Sequence, residues 1–85
     1  MTLDELPIGS SCKVARVGGE GKIKRRLFDM GVTPGAEIFL RKKAPLGDPL
    51  EITLRGYELS VRKSEAAWVE VDQIEYPEGY EEAKQ

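Results

Sequence analysis

Histidine is missing from this 85-residue chain, and cysteine occurs once, at Cys12. Without histidine there is no Ser-His-Asp or Cys-His relay. A lone thiol with no ligand partner nearby in sequence supports neither a zinc finger nor an internal disulfide. Aromatic residues make up only 7% of the chain, and they lack the clustering that grooves for proline-rich peptides or stacking platforms for single strands require. No stretch approaches the roughly 20 apolar residues of a membrane-crossing helix, so direct insertion into a bilayer is not expected. The N-terminus also lacks the basic start and apolar run of a secretory signal, which points to the reducing cytoplasm.

What is present suits one small domain with a modest core. Hydrophobic residues are 40% and charged residues 33% of the chain, with a formal net charge of −2, a balance that favours neither DNA nor an acidic membrane surface overall. The acidic excess is concentrated at the end, where Glu75, Glu78, Glu81 and Glu82 face only Lys84. That segment also carries Pro77 and Gly79 without alternating hydrophobics. The expected organisation is a folded domain over residues 1–74 followed by an acidic, disordered tail over 75–85.

The most informative local pattern starts at Lys22. Ile23, Leu27 and Met30 recur at i, i+4 and i+7 and line one face of a short helix, while Lys22, Lys24, Arg25 and Arg26 turn mostly to solvent. Gly31 is the left-handed residue that ends the helix, with Val32 positioned for the apolar contact that accompanies such a cap. Pro34-Gly35 supplies the two central residues of a type II turn, so the chain enters a strand at once.

Upstream, Thr2-Leu3-Asp4-Glu5 has the form of a capping box, predicting one helical turn before Pro7 and Gly9 redirect the chain. Cys12, Val14 and Arg16 alternate with Lys13, Ala15 and Val17 as a first strand. Downstream, Ile38 and Leu40, then Leu50, Ile52 and Leu54, then Leu59 and Val61 alternate with polar residues, and Arg55-Gly56-Tyr57 turns the last two runs into a hairpin. Ser64 to Ala67 reads as turn more than helix, and Val69 and Val71 mark a final short strand. About five strands with one tucked-in helix predict a mainly β fold, a small closed barrel with one or two short helices.

The chemistry on offer is sparse. Carboxylates lie along strand faces or in the tail, where the solvated reading is favoured over paired acid/base work. Cys12 reads as a small buried apolar residue more than a ligand, and turn and helix-end roles account for Asp29 and Asp48, so no metal or cofactor site is expected. The basic helix is the best case for nucleic acid, yet few aromatics accompany it, and a solvated face or a surface for an acidic protein fits better. Trp68 and Phe28 are expected to pack in the core or its rim. The loop Ala44-Pro45-Leu46-Gly47-Asp48-Pro49 is stiffened by two prolines and presents Leu46 between turn residues, either as plain connection or as a preorganised contact.

These segments together resemble the FeoA family, small bacterial proteins that accompany FeoB, the membrane transporter of ferrous iron. The resemblance rests on Leu6-Pro7-Ile8-Gly9, on the arginine pair followed by Leu27-Phe28-Asp29-Met30-Gly31-Val32-Thr33-Pro34-Gly35, on Ala44 to Pro49, and on Arg55-Gly56-Tyr57-Glu58-Leu59-Ser60-Val61-Arg62. It covers about residues 3–74. The resemblance implies an SH3-like barrel associated with iron, with no enzymatic activity, that acts by docking on the cytoplasmic side of a FeoB-like transporter and is peripheral to the inner membrane through that partner. Residues assigned to the contact are Arg25, Arg26, Asp29, Met30, Leu46 and Asp48; Gly31, Pro34, Gly35, Pro45, Gly47, Pro49 and Gly56 shape the turns. On this reading Arg26→Glu weakens partner binding and leaves the barrel folded. The alternative is a regulatory or nucleic-acid-associated barrel related to the C-terminal domain of metal-dependent repressors, and self-association through open strand edges is a further option.

Overall fold

The computed structural model describes residues 1–80. Its elements are β1 (Ser11–Val17), α1 (Gly21–Asp29), β2 (Glu37–Lys43), β3 (Leu50–Leu54), β4 (Tyr57–Val61), α2 (Lys63–Ala66) and β5 (Val69–Glu75), with 3-10 turns at Leu3–Glu5 and Pro45–Gly47. The strands form one antiparallel sheet in the order β4-β3-β2-β1-β5. This is the mainly β small barrel expected from the alternation, with two short helices.

Period-two patterning fixes which face turns inward. Ile38 and Leu40 on β2, and Leu50, Ile52 and Leu54 on β3, are buried, and Val61 and Val69 join them from β4 and β5. Helix α1 closes one side by burying Leu27, with Ile23 and Met30 half-covered beside it, the predicted face. Each fully buried leucine or isoleucine contributes about 1.5–3 kcal/mol. The 3-10 turn at Leu3–Glu5 adds Leu3 and, just beyond it, Leu6 to this core. There the Thr2 N–H donates to Glu5 Oε1 at 2.9 Å, one half of the predicted capping box.

Three elements depart from the sequence expectation. In β1 the register against β5 shifts between Val14 and Arg16, so Val17 faces the core and Arg16 faces out, where it pairs with Glu70. A bulge inserts one residue and reverses the alternation beyond it. The segment after β4 forms a helical turn, α2, because Glu65 Oε1 accepts the Arg62 N–H at 3.0 Å and Asp48 Oδ1 accepts the Lys63 N–H at 3.0 Å. The hairpin turn is confined to Arg55 and Gly56, at φ 53° and 83°, the positive pair that a two-residue type I′ connection demands.

At the other end, the Val71 N–H donates to the Met1 carbonyl and Thr2 bridges to Glu70, covering part of the outer edge of β5. After Glu75 the chain makes a turn in which the Tyr80 N–H reaches the Pro77 carbonyl, and the Tyr76 and Tyr80 rings stack with centroids 5.0 Å apart. The rest of the expected tail, residues 81–85, lies outside the described residues.

Cys12 is buried on β1, as the alternation suggested. Burial, helped by the charge of Asp72, pushes its thiol up to about 11. Since only the thiolate attacks alkylating reagents, iodoacetamide at pH 8 should modify Cys12 about a hundredfold more slowly in the native protein than in denaturant. Equal rates in the two states would contradict the burial.

Candidate docking surface

Helix α1 and the loop before β3 hold the residues assigned to a contact, and the local physics of each decides what is left exposed. The helix stops where it does because Met30 is followed by Gly31 at φ 93°. The Val32 N–H donates to the Leu27 carbonyl and the Gly31 N–H to the Phe28 carbonyl, each at 2.9 Å. This pair of bonds is the Schellman motif, and the buried side chains of Val32 and Leu27 supply its apolar contact. The turn at Pro34-Gly35 follows, closed by the Ala36 N–H on the Thr33 carbonyl at 3.0 Å.

Of the two arginines, Arg25 is exposed on the helix and forms no ion pair among the described residues. Arg26 turns back onto the barrel, where its Nε lies 2.5 Å from Glu65 Oε2. The Glu65 side chain is 8% exposed and that of Arg26 57%, so a cation at the rim neutralises a buried carboxylate of α2. Glu65 thus departs from the solvated-face expectation for the acidic residues. It also makes Arg26→Glu a test of stability instead of a clean test of docking, because the change would place a second carboxylate against Glu65.

Arg26 and Asp48 are brought together. With Pro49, Ser60 and Arg62 they line a shallow depression of about 420 Å³. Asp48 is partly committed there, since its carboxylate caps the Lys63 amide. Asp29 and Met30 lie elsewhere along the same helix, in a second depression of about 350 Å³ whose walls include Phe28, Leu54, Tyr57 and Leu59. Sequence reasoning did not assign Tyr57, Leu59 and Arg62 to any surface. The only local hint is Tyr57 itself, a large apolar ring at a strand end beside a tight turn, where little covers it.

Leu46 stands alone at the loop tip and is 99% exposed. Its φ of 69° and ψ of 10° put a leucine in the left-handed region, which costs a non-glycine residue about 1–2 kcal/mol. Pro45 and Gly47 complete the same 3-10 turn, and Pro49 leads into β3. Phe28 and Trp68 occupy the rim, 41% and 45% exposed. The Lys24 ammonium lies 5.8 Å from the Phe28 ring centroid, and Trp68 lies across the Gly18-Gly19 backbone.

Comparison with known proteins places this architecture. Residues 1–73 match the FeoA domain model. A curated relative, the Fe(2+) transport protein A/Fe(2+) transporter FeoB fusion protein of Porphyromonas gingivalis, is 36% identical over 74 residues, which is 87% of this chain and 9% of that protein. This chain therefore spans about a tenth of the relative's length. Among solved structures, a FeoA-like protein of Clostridium acetobutylicum is 46% identical with a TM-score of 0.79, covering 85% of this chain and 84% of that one. FeoA of Stenotrophomonas maltophilia, solved with zinc and termed a prokaryotic SH3 domain protein, is 35% identical with a TM-score of 0.77, covering 89% and 96%. The fold alone extends to a manganese-dependent transcriptional repressor, 12% identical with a TM-score of 0.77 over 84% of this chain and 39% of the repressor. With its barrel, its capped basic helix and a family match over nearly its whole length, the chain belongs to the FeoA family, whose members are linked to ferrous iron transport and adopt an SH3-like fold.

Proposed function

We propose that this domain is a non-enzymatic accessory factor of ferrous iron transport that works in the cytoplasm by docking on the cytoplasmic part of a FeoB-like transporter. The observation that carries this reading is the Porphyromonas gingivalis relative, in which the matching domain shares one chain with the transporter. Covalent fusion raises the effective concentration of two modules for each other, which is useful when they meet. No described helix is long and apolar enough to cross a membrane, so on this reading the transporter supplies the membrane part.

Leu46 supports the same reading from physics. An apolar side chain held outward in a costly backbone conformation contributes nothing to the core, and such strain persists at positions kept for a contact. Asparagine adopts the left-handed region more readily than leucine. Leu46→Asn should therefore leave unfolding free energy unchanged or raise it by less than about 1 kcal/mol, while weakening capture of the transporter's cytoplasmic part several-fold.

The direct experiment is titration of the wild-type domain against the purified cytoplasmic portion of a FeoB-like transporter, with Leu46→Asn and Arg25→Glu alongside. Saturable binding by wild type, weakened in both variants, is the expected result. No binding by wild type at 100 mM salt would overturn the docking reading. Unaltered binding by both variants would remove the loop tip and the outer helix face from the contact.

A further inference from the structure

Among the described residues β4 has one sheet neighbour, β3, and its other side carries no strand. The parity of the hairpin tells which groups point there. A two-residue type I′ turn is flanked by a hydrogen-bonded pair, here Leu54 with Tyr57, so the bonded pairs continue at Ile52 with Leu59 and Leu50 with Val61. Glu58 and Ser60 therefore aim their N–H and C=O groups away from β3. These are the donors and acceptors that an additional strand would use.

This open side runs beside α1. At one end, Met30 and Phe28 from the helix meet Tyr57 and Leu59 from the strand around the 350 Å³ apolar depression. At the other, Arg26 meets Asp48, Ser60 and Arg62 around the polar one. Alternation along β4 puts Tyr57 and Leu59 on one face and Ser60 and Arg62 on the other, so the two depressions flank the open edge from its two faces. Tyr57 is 72% exposed, and the half-buried Leu59 lies on the core-facing side of β4 where the helix leaves it partly uncovered. Arg55 and Arg62 bracket the strand; Arg55 shares its depression with Asp29 and Arg62 with Asp48, and among the described residues neither arginine forms an ion pair.

We propose that the open edge of β4 binds an extended peptide segment that pairs with it as an added strand, seats a large apolar side chain against Met30, Tyr57 and Leu59, and places acidic residues near Arg55 and Arg62. Backbone pairing with Glu58 and Ser60 supplies affinity, and the pocket and the two cations supply the choice of sequence. The flanking helix favours a single strand over a second copy of the domain, since the partner's own helix would have to approach the same seam. This inference rests on the docking reading above, for which it names the part of a partner that is recognised.

The test uses nitrogen-15 labelled full-length protein titrated with the blocked heptapeptide Asp-Val-Thr-Phe-Thr-Val-Asp. Its centre falls opposite Leu59 and its ends opposite Gly56 and Arg62. The expected result is saturable shifts at the amides of Tyr57 to Ser60 and of Met30, with about tenfold weaker binding when the two Asp are replaced by Lys or when Phe is replaced by Ala. Ser60→Pro, which removes one outward N–H, should abolish the response; should that variant not fold, Arg62→Glu should weaken binding of the acidic peptide and strengthen that of the lysine peptide. Absence of saturable shifts, shifts centred elsewhere, or equal affinity for the acidic and basic peptides would overturn the proposal. So would dilution-dependent shifts of the same amides without peptide, which would assign the edge to a second copy. Binding of the transporter portion with no peptide response would sink this inference alone, whereas a peptide response without transporter binding would sink the docking reading alone.

Discussion

Arg26→Glu is expected to destabilise the domain by about 3 kcal/mol and to lower its Tm by about 15 °C. Removing one partner of a fully buried pair costs about 3–5 kcal/mol, but Arg26 is more than half exposed, so loss of its charge alone accounts for a smaller part. The substitution then adds repulsion: two like charges about 4 Å apart at an effective dielectric near 20 oppose each other by about 4 kcal/mol before the new side chain turns to water. Arg25→Glu, one residue away with no such partner among the described residues, should change stability by no more than about 0.5 kcal/mol. Urea unfolding of both variants decides the matter. Equal midpoints would mean that the contact with Glu65 contributes nothing to stability.

The second large effect is expected at Gly31. Its φ of 93° is a conformation that a β-branched residue resists, and a Cβ there would lie 3.0 Å from Leu54 Cδ2 in the buried core. Backbone strain and overpacking add, so Gly31→Val should cost about 3 kcal/mol or more. The damage should be visible at both sites it touches: lost helicity at the end of α1 and faster amide exchange at Leu54. A variant that unfolds at the wild-type urea midpoint would show that the helix end can adopt another path.

The contrast between these two positions explains what could be read from the sequence. Gly31 was legible because its role is local: a glycine four residues after the last buried position of a helix has few other uses, and Val32 completes the motif. The same holds for Ile38 and Leu40, for Leu50, Ile52 and Leu54, and for the Pro34-Gly35 turn. Arg26 was not legible as a stabilising residue, since Glu65 lies 39 positions away and only the folded barrel brings α2 to α1. Asp48 reads as a turn residue locally, whereas its carboxylate also caps the Lys63 amide from across the hairpin. The bulge in β1 shows in its own residues only as the three-residue step from Val14 to Val17, and its place became clear from the pairing with β5. Leu46 shows an intermediate case, with its exposure foreseeable from the flanking prolines and glycine but its left-handed backbone not.

Ser11 lies opposite Glu75, and Val17 opposite Val69, at the two ends of the β1–β5 pair. The chain reaches this ladder only after Met1 has met Val71 and after Leu3 and Leu6 have entered the core, so both ends of the described barrel lie along β5. Loosening of either end would therefore act first on β5, the strand that both ends share.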